Sequence, residues 1–84
     1  MRFYYITFRS VTHAQRAEKL LEAHDIRCSL QRTPRWMEVQ GCGYCLRLSL
    51  ADGPQAAQQL RASQVPMRKI YLQSEEGDVR EVQL

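Results

Sequence analysis

No stretch of this 84-residue chain approaches the roughly 20 apolar residues of a membrane span, which excludes a transmembrane helix. The N-terminal "MRFYYITFRS" is too aromatic, and turns polar too soon, for a secretory signal, so a cytoplasmic protein is expected. Glycine and proline are scarce, four and three residues, and neither a low-complexity segment nor an internal repeat is present; disorder and solenoid architectures are set aside. Three cysteines are too few and too odd in number for a disulfide-stapled secreted fold. No window carries a run of basic charge, although 12 basic against 9 acidic residues leave a net charge of +3. The chain therefore has a mild preference for anions without a nucleic-acid footprint. Ser-His-Asp constellations, paired carboxylates and phosphate-cradling glycine loops are also missing, and no cofactor is expected. A chain of this length buries only about 60–65% of its unfolded surface, so one domain spanning 1–84, working through its surface, is expected.

The pattern of what is present alternates between two periods. "FYYITF" is aromatic and β-branched and predicts a strand over Phe3 to Phe8, with Tyr4, Ile6 and Phe8 on one face and Phe3, Tyr5 and Thr7 on the other. Ala14, Ala17, Leu20, Leu21 and His24 then recur at helical spacing, and Thr12 with Gln15 fits a capping box, so a helix starts between Ser10 and Thr12. "IRCSLQ" predicts a second strand ended by Thr33-Pro34, and "YCLRLSL" a third with Tyr44, Leu46, Leu48 and Leu50 inside and Cys45, Arg47 and Ser49 on a solvated outer face. Asp52-Gly53-Pro54 signals a second helix with Asp52 as N-cap candidate, ending before Val65-Pro66. "MRKIYLQ" and the edge segment "VREVQL" supply the last two strands. The order β-α-β-β-α-β plus one strand predicts an α+β fold, the ferredoxin-like plait: an antiparallel sheet with two helices on one face and an extra C-terminal strand.

That topology gives meaning to "QGCGYCL", residues 40–46, which sets Cys42 and Cys45 at C-x-x-C spacing. In thioredoxin-like proteins such a motif opens a helix whose dipole activates the thiol; here a strand follows, so the motif cannot supply its own helix. The plait instead brings the loop between the second and third strands to the N-terminal end of the first helix. Arg9, His13, Arg35 and Arg68 are all expected near that end, and Cys42 is the candidate thiolate. Two thiolates can also hold a soft metal such as copper(I) or zinc, although a closed structural zinc site wants four ligands. Cys28 reads as a small core residue and His24 as a structural residue on the apolar side of the helix. Trp36 and Met37 either cover the base of their own loop or form a contact patch for a protein partner. The aromatics of the first strand lack the matching glycine and aromatic spacing on the third that an RNA-stacking platform needs, so nucleic acid is not an expected partner.

Taken together, "YYITFRS", "THAQRAEKLLEAHDI", "TPR" and "CGYCLRL" resemble small bacterial domains of the selenium/sulfur carrier-like family. The likeness runs from Tyr4 to Leu72 and is most specific at Pro34-Arg35 followed by Cys42-Gly43. It departs in "WMEVQG", where the family has serines, and in Asp25, where the family has glycine after the first helix. The resemblance implies a carrier protein before a stand-alone enzyme, with Cys42 accepting sulfane sulfur or selenium from a donor of the cysteine desulfurase or selenium-donor type. It then passes the atom to an acceptor protein, and Cys45 resolves the persulfide. Arg35 and His13 are expected to hold the thiolate, and Gly41 and Gly43 to let the backbone turn. A soft-metal module using the cysteine pair and a non-catalytic interaction domain are the alternatives. The edge strand permits a homodimer without requiring one.

Overall fold

The computed structural model describes residues 2–34 and 43–84. Seven elements follow in the order β1 (Phe3–Thr7), α1 (Val11–Ala23), β2 (Ser29–Arg32), β3 (Tyr44–Ser49), α2 (Gly53–Ala62), β4 (Ile70–Gln73) and β5 (Val79–Val82). The strands form one antiparallel sheet in the order β2-β3-β1-β4-β5. This is the α+β plait expected from the pattern, with β5 added at the edge beside β4.

The two faces of β1 separate as its alternation requires. Ile6 and Phe8, with Tyr4 beside them, pack with Leu46, Leu48 and Ile70 against Ala14, Ala17 and Leu21 of α1 and Ala56, Ala57 and Leu60 of α2. Alanine dominates both helix stripes, so the helix backbones can approach the sheet closely. Gly53 carries this to its limit: a Cβ there would fall on the ring of Tyr4. On the opposite face, Tyr5, Cys45 and Tyr71 form a second buried cluster with Phe3 and Val79 against it. Among the described residues, the buried polar side chain of Thr7 is satisfied: its Oγ1 accepts from the Lys69 amide at 3.1 Å.

Several boundaries move for identifiable reasons. Ser10, not Thr12, caps α1, its Oγ accepting from the amide of His13 at 3.2 Å. Asp52 sits at the start of α2 but makes no side-chain cap; instead Ser49 Oγ donates to its Oδ2 at 3.1 Å. β2 starts at Ser29 and not at Ile26, because Ile26 is used to close the preceding helix. Its amide donates to Leu21 and that of Asp25 to Glu22, and Asp25 takes a φ of 59°. This is the Schellman closure, with an apolar residue buried just beyond the left-handed one. α2 ends the same way, with Gln64 at φ 58°, Val65 donating to Leu60 and Gln64 to Arg61. His24 falls in the cap of α1, where it is exposed and donates from Nδ1 to the Leu20 carbonyl at 2.9 Å, so it does not lie on the apolar side.

Candidate functional site

The connection between β2 and β3 leaves and returns through one hydrogen-bonded pair: the Thr33 amide donates to the Gly43 carbonyl at 2.9 Å. Gly43 has a φ of 80°, the left-handed region that glycine enters without steric cost, and open space where a Cβ would stand. Arg32 pairs with Tyr44 across β2 and β3, and its guanidinium lies 5.6 Å from the centre of the Tyr44 ring. Thr7, the last residue of β1, stands opposite Cys45, and its carbonyl accepts from the Arg68 amide at 2.8 Å. These pairings bring the end of β1, the start of β3, the approach to β4 and, three residues beyond Thr7, the cap of α1 to one end of the sheet. The described ends of the 34–43 connection therefore face the α1 N-terminus, as the topology required. Cys42, Arg35, Gly41, Trp36 and Met37 lie outside the described residues.

His13 occupies the first turn of α1 and is half-buried. Its Nδ1 is shut off from solvent and has no hydrogen-bond partner among the described residues. A buried ring nitrogen left unpaired costs the desolvation of that group, on the order of 1–3 kcal/mol, so a partner at this position is worth that much. Four amides at the start of any helix lack an intrahelical partner, and among the described residues Ser10 Oγ answers one of them, that of His13. No acidic residue occupies the first turn, so the positive end of the helix is not neutralised from within.

Cys45 differs from expectation in one respect. It does point to the face away from the helices, but that face is not solvated there: Cys45 is 0% exposed, enclosed with Tyr5 at 8% and Tyr71 at 9%. The Tyr5 hydroxyl donates to Gln73 Oε1 at 2.9 Å, which holds that ring across β1 and β4. The signal for this second cluster was available in "FYYITF" and "IYL", whose strands are apolar on both faces; alternation alone does not say what covers the outer one.

Cys28 belongs to the other end of the sheet. It is half-buried against the main core and lines a cavity of about 410 Å³ with Arg27, Ser29 and Arg47. Burial first, then the carboxylates of Glu18 and Glu22, push its thiol up to about 11. A thiol held protonated in this way is a poor nucleophile, which fits its reading as a core residue.

Among the described residues no helix is long and apolar enough to cross a membrane. Residues 3–72 match the model of the family described as "Putative Se/S carrier protein-like". No curated protein and no solved structure matches the chain.

Proposed function

The chain belongs to the Se/S carrier-like family, and from that premise we propose that it carries sulfane sulfur or selenium on Cys42 between a donor enzyme and an acceptor protein. The thiolate of Cys42 attacks the outer sulfur of the donor's persulfide. The donor's S–S bond breaks, a new one forms at Cys42, and the donor leaves as its thiol. Selenium transfers by the same displacement as a selenosulfide. Attack by an acceptor nucleophile on the outer atom completes delivery. In its absence, Cys45 attacks the inner sulfur, the outer atom leaves as sulfide or selenide, and a Cys42–Cys45 disulfide remains for a dithiol to reduce.

The observation that supports this reading is that the described ends of the 34–43 connection lie at the same end of the sheet as the first turn of α1, where His13 Nδ1 is buried with no hydrogen-bond partner among the described residues. A thiolate or persulfide anion at that end would find the positive end of a helix with no acidic residue in its first turn and a buried ring nitrogen able to share a hydrogen bond. Arg35 adds a cation to the same loop. In this reading His13 and Arg35 hold the sulfur anion, and Gly43 turns the chain so that the sulfur is presented.

The test is mass spectrometry after incubation with a cysteine desulfurase and cysteine. One added sulfur atom, about 32 Da, on Cys42 is expected, lost in Cys42→Ser and reduced in His13→Ala. An intact, alkylatable Cys42 that gains no mass sinks the carrier reading.

A further inference from the structure

The cavity of about 410 Å³ beside Cys28 lies at the end of the sheet away from the 34–43 connection, and strand register defines its floor. Residues directly opposite one another on antiparallel strands share a face. Ser29 opposes Arg47, Arg47 opposes Tyr5 and Ser49 opposes Phe3, so Ser29, Arg47, Ser49 and Phe3 form one patch on the face away from the helices.

Arg47 is half-buried, and its guanidinium stands over the Phe3 ring, 4.6 Å from the centre. A guanidinium stacked on a ring keeps its fork of N–H donors available to a carboxylate. Neither Arg47 nor the exposed Arg27 beside it pairs with a carboxylate among the described residues. Arg27 also borders a second cavity with Glu22 and Asp25, which weaken its field, so Arg47 is the principal cation. The Ser29 hydroxyl adds a donor on the neighbouring strand.

One acid faces the same cavity, Asp52 at the start of α2. Its Oδ2 accepts from Ser49 Oγ at 3.1 Å and its amide donates to that oxygen at 3.3 Å, so two hydrogen bonds fix the carboxylate in place. Its Oδ1 makes no hydrogen bond among the described residues. Ser49 stands two residues along β3 from Arg47, about 7 Å, and the guanidinium and the carboxylate do not pair with each other. A plain anion would meet Asp52 as a repulsive neighbour, and a plain cation would meet two guanidiniums. An α-amino acid carries a carboxylate and an ammonium on one carbon and answers both. Phe3 and the Cys28 side chain supply an apolar wall; burial keeps that thiol protonated, so it adds no negative charge.

We infer that this cavity binds a free α-amino acid, its carboxylate on the fork of Arg47 beside Ser29, its ammonium on Asp52 and its side chain against Phe3. The site lies at the opposite end of β3 from the C-x-x-C connection, and the inference does not rest on the carrier reading.

Heteronuclear NMR of the full chain titrated with L-leucine tests it, alongside N-acetyl-L-leucine, which lacks the ammonium, and L-leucinamide, which lacks the carboxylate. Saturable shifts of the amides at 27–29, 47–49 and 52 are expected with L-leucine, and each derivative should bind at least about tenfold more weakly. Arg47→Gln should weaken L-leucine at least about tenfold, and Arg47→Lys, which keeps the charge and loses the fork, should fall between. Asp52→Asn keeps an oxygen for Ser49 and should lower L-leucine to the affinity of N-acetyl-L-leucine. Arg80→Gln, an exposed position on β5, should stay within about twofold of the parent. A parent chain without saturable shifts overturns the inference, as does N-acetyl-L-leucine bound as tightly as L-leucine, or an Arg47→Gln chain that binds as the parent does. Amide dispersion shows whether each variant is folded; should Arg47→Gln not fold, the comparison of the three ligands on the parent decides.

Discussion

Complete burial of Cys45 sets its chemical accessibility, and alkylation under reducing conditions measures it. A reagent larger than water reaches Sγ only if one of the enclosing rings, Tyr5 or Tyr71, leaves the outer face. Freeing one such ring re-exposes on the order of 100–150 Å² of apolar surface, at ~25 cal/mol/Å² about 2.5–4 kcal/mol. That opening protects Cys45 by about 100-fold to 1,000-fold relative to the denatured chain. If the whole domain must open, the limit rises to the global stability, roughly 4–13 kcal/mol for a chain of this size. The assay is iodoacetamide labelling followed by peptide mass mapping, in buffer and in denaturant. Labelling of native Cys45 within about tenfold of the denatured rate would refute the reasoning. Cys28 provides an internal contrast, because its resistance comes from a raised thiol: its rate should climb with pH toward 11, while Cys45 should yield to denaturant. For the proposed carrier, protection of Cys45 means that a persulfide on Cys42 is not discharged by its neighbour until the outer face opens.

Two further outcomes concern stability. Asp25 and Gln64 occupy left-handed positions at 59° and 58°, so Asp25→Gly and Gln64→Gly should each stabilise the fold by about 0.5–1 kcal/mol, read as a shift in denaturant midpoint without a change in slope; an unchanged or lowered midpoint would refute the closure argument. The Cys28 thiol is raised by burial and by Glu18 and Glu22, so the folded chain binds this proton more tightly than the unfolded one. Its contribution is complete below pH 9 and is lost as pH rises through 11, so the stability difference between the parent and Cys28→Ser should shrink over that window; a difference that grows there would contradict the sign.

How much of this was legible depends on which rule governs each residue. The two faces of β1 and the alanine stripes of both helices follow from period, and the structure keeps them. The helix ends did not follow, because the usual marker is glycine and here Asp25 and Gln64 take the left-handed turn. Ile26 looked like the first residue of a strand since it alternates with Cys28 and Leu30; its burial serves the α1 closure instead. His24 continued the apolar period on paper, but the helix ends at that residue and the period no longer decides where it points. For the site, topology alone was enough to bring the described ends of the β2–β3 connection to the end of the sheet where α1 starts, whereas the enclosure of Cys45 depends on contacts between strands far apart in sequence.

The C-x-x-C spacing takes on a different meaning once the boundary inside it is located. β3 begins at Tyr44, so Cys45 is already within the ladder, opposite Thr7 on one side and Gln31 on the other, while Cys42 precedes the left-handed Gly43. In a helix-start motif both sulfurs share one short, stiff turn. Here one is fixed by pairing to two strands and the other belongs to a connection. A bond between them requires the Cys42 sulfur to reach the outer face of the sheet, or the ladder beside Cys45 to open. The three-residue spacing therefore does not by itself make a redox pair. For the proposed carrier, it would make discharge of a sulfur from Cys42 by Cys45 depend on the state of the outer face, where a partner protein would control release.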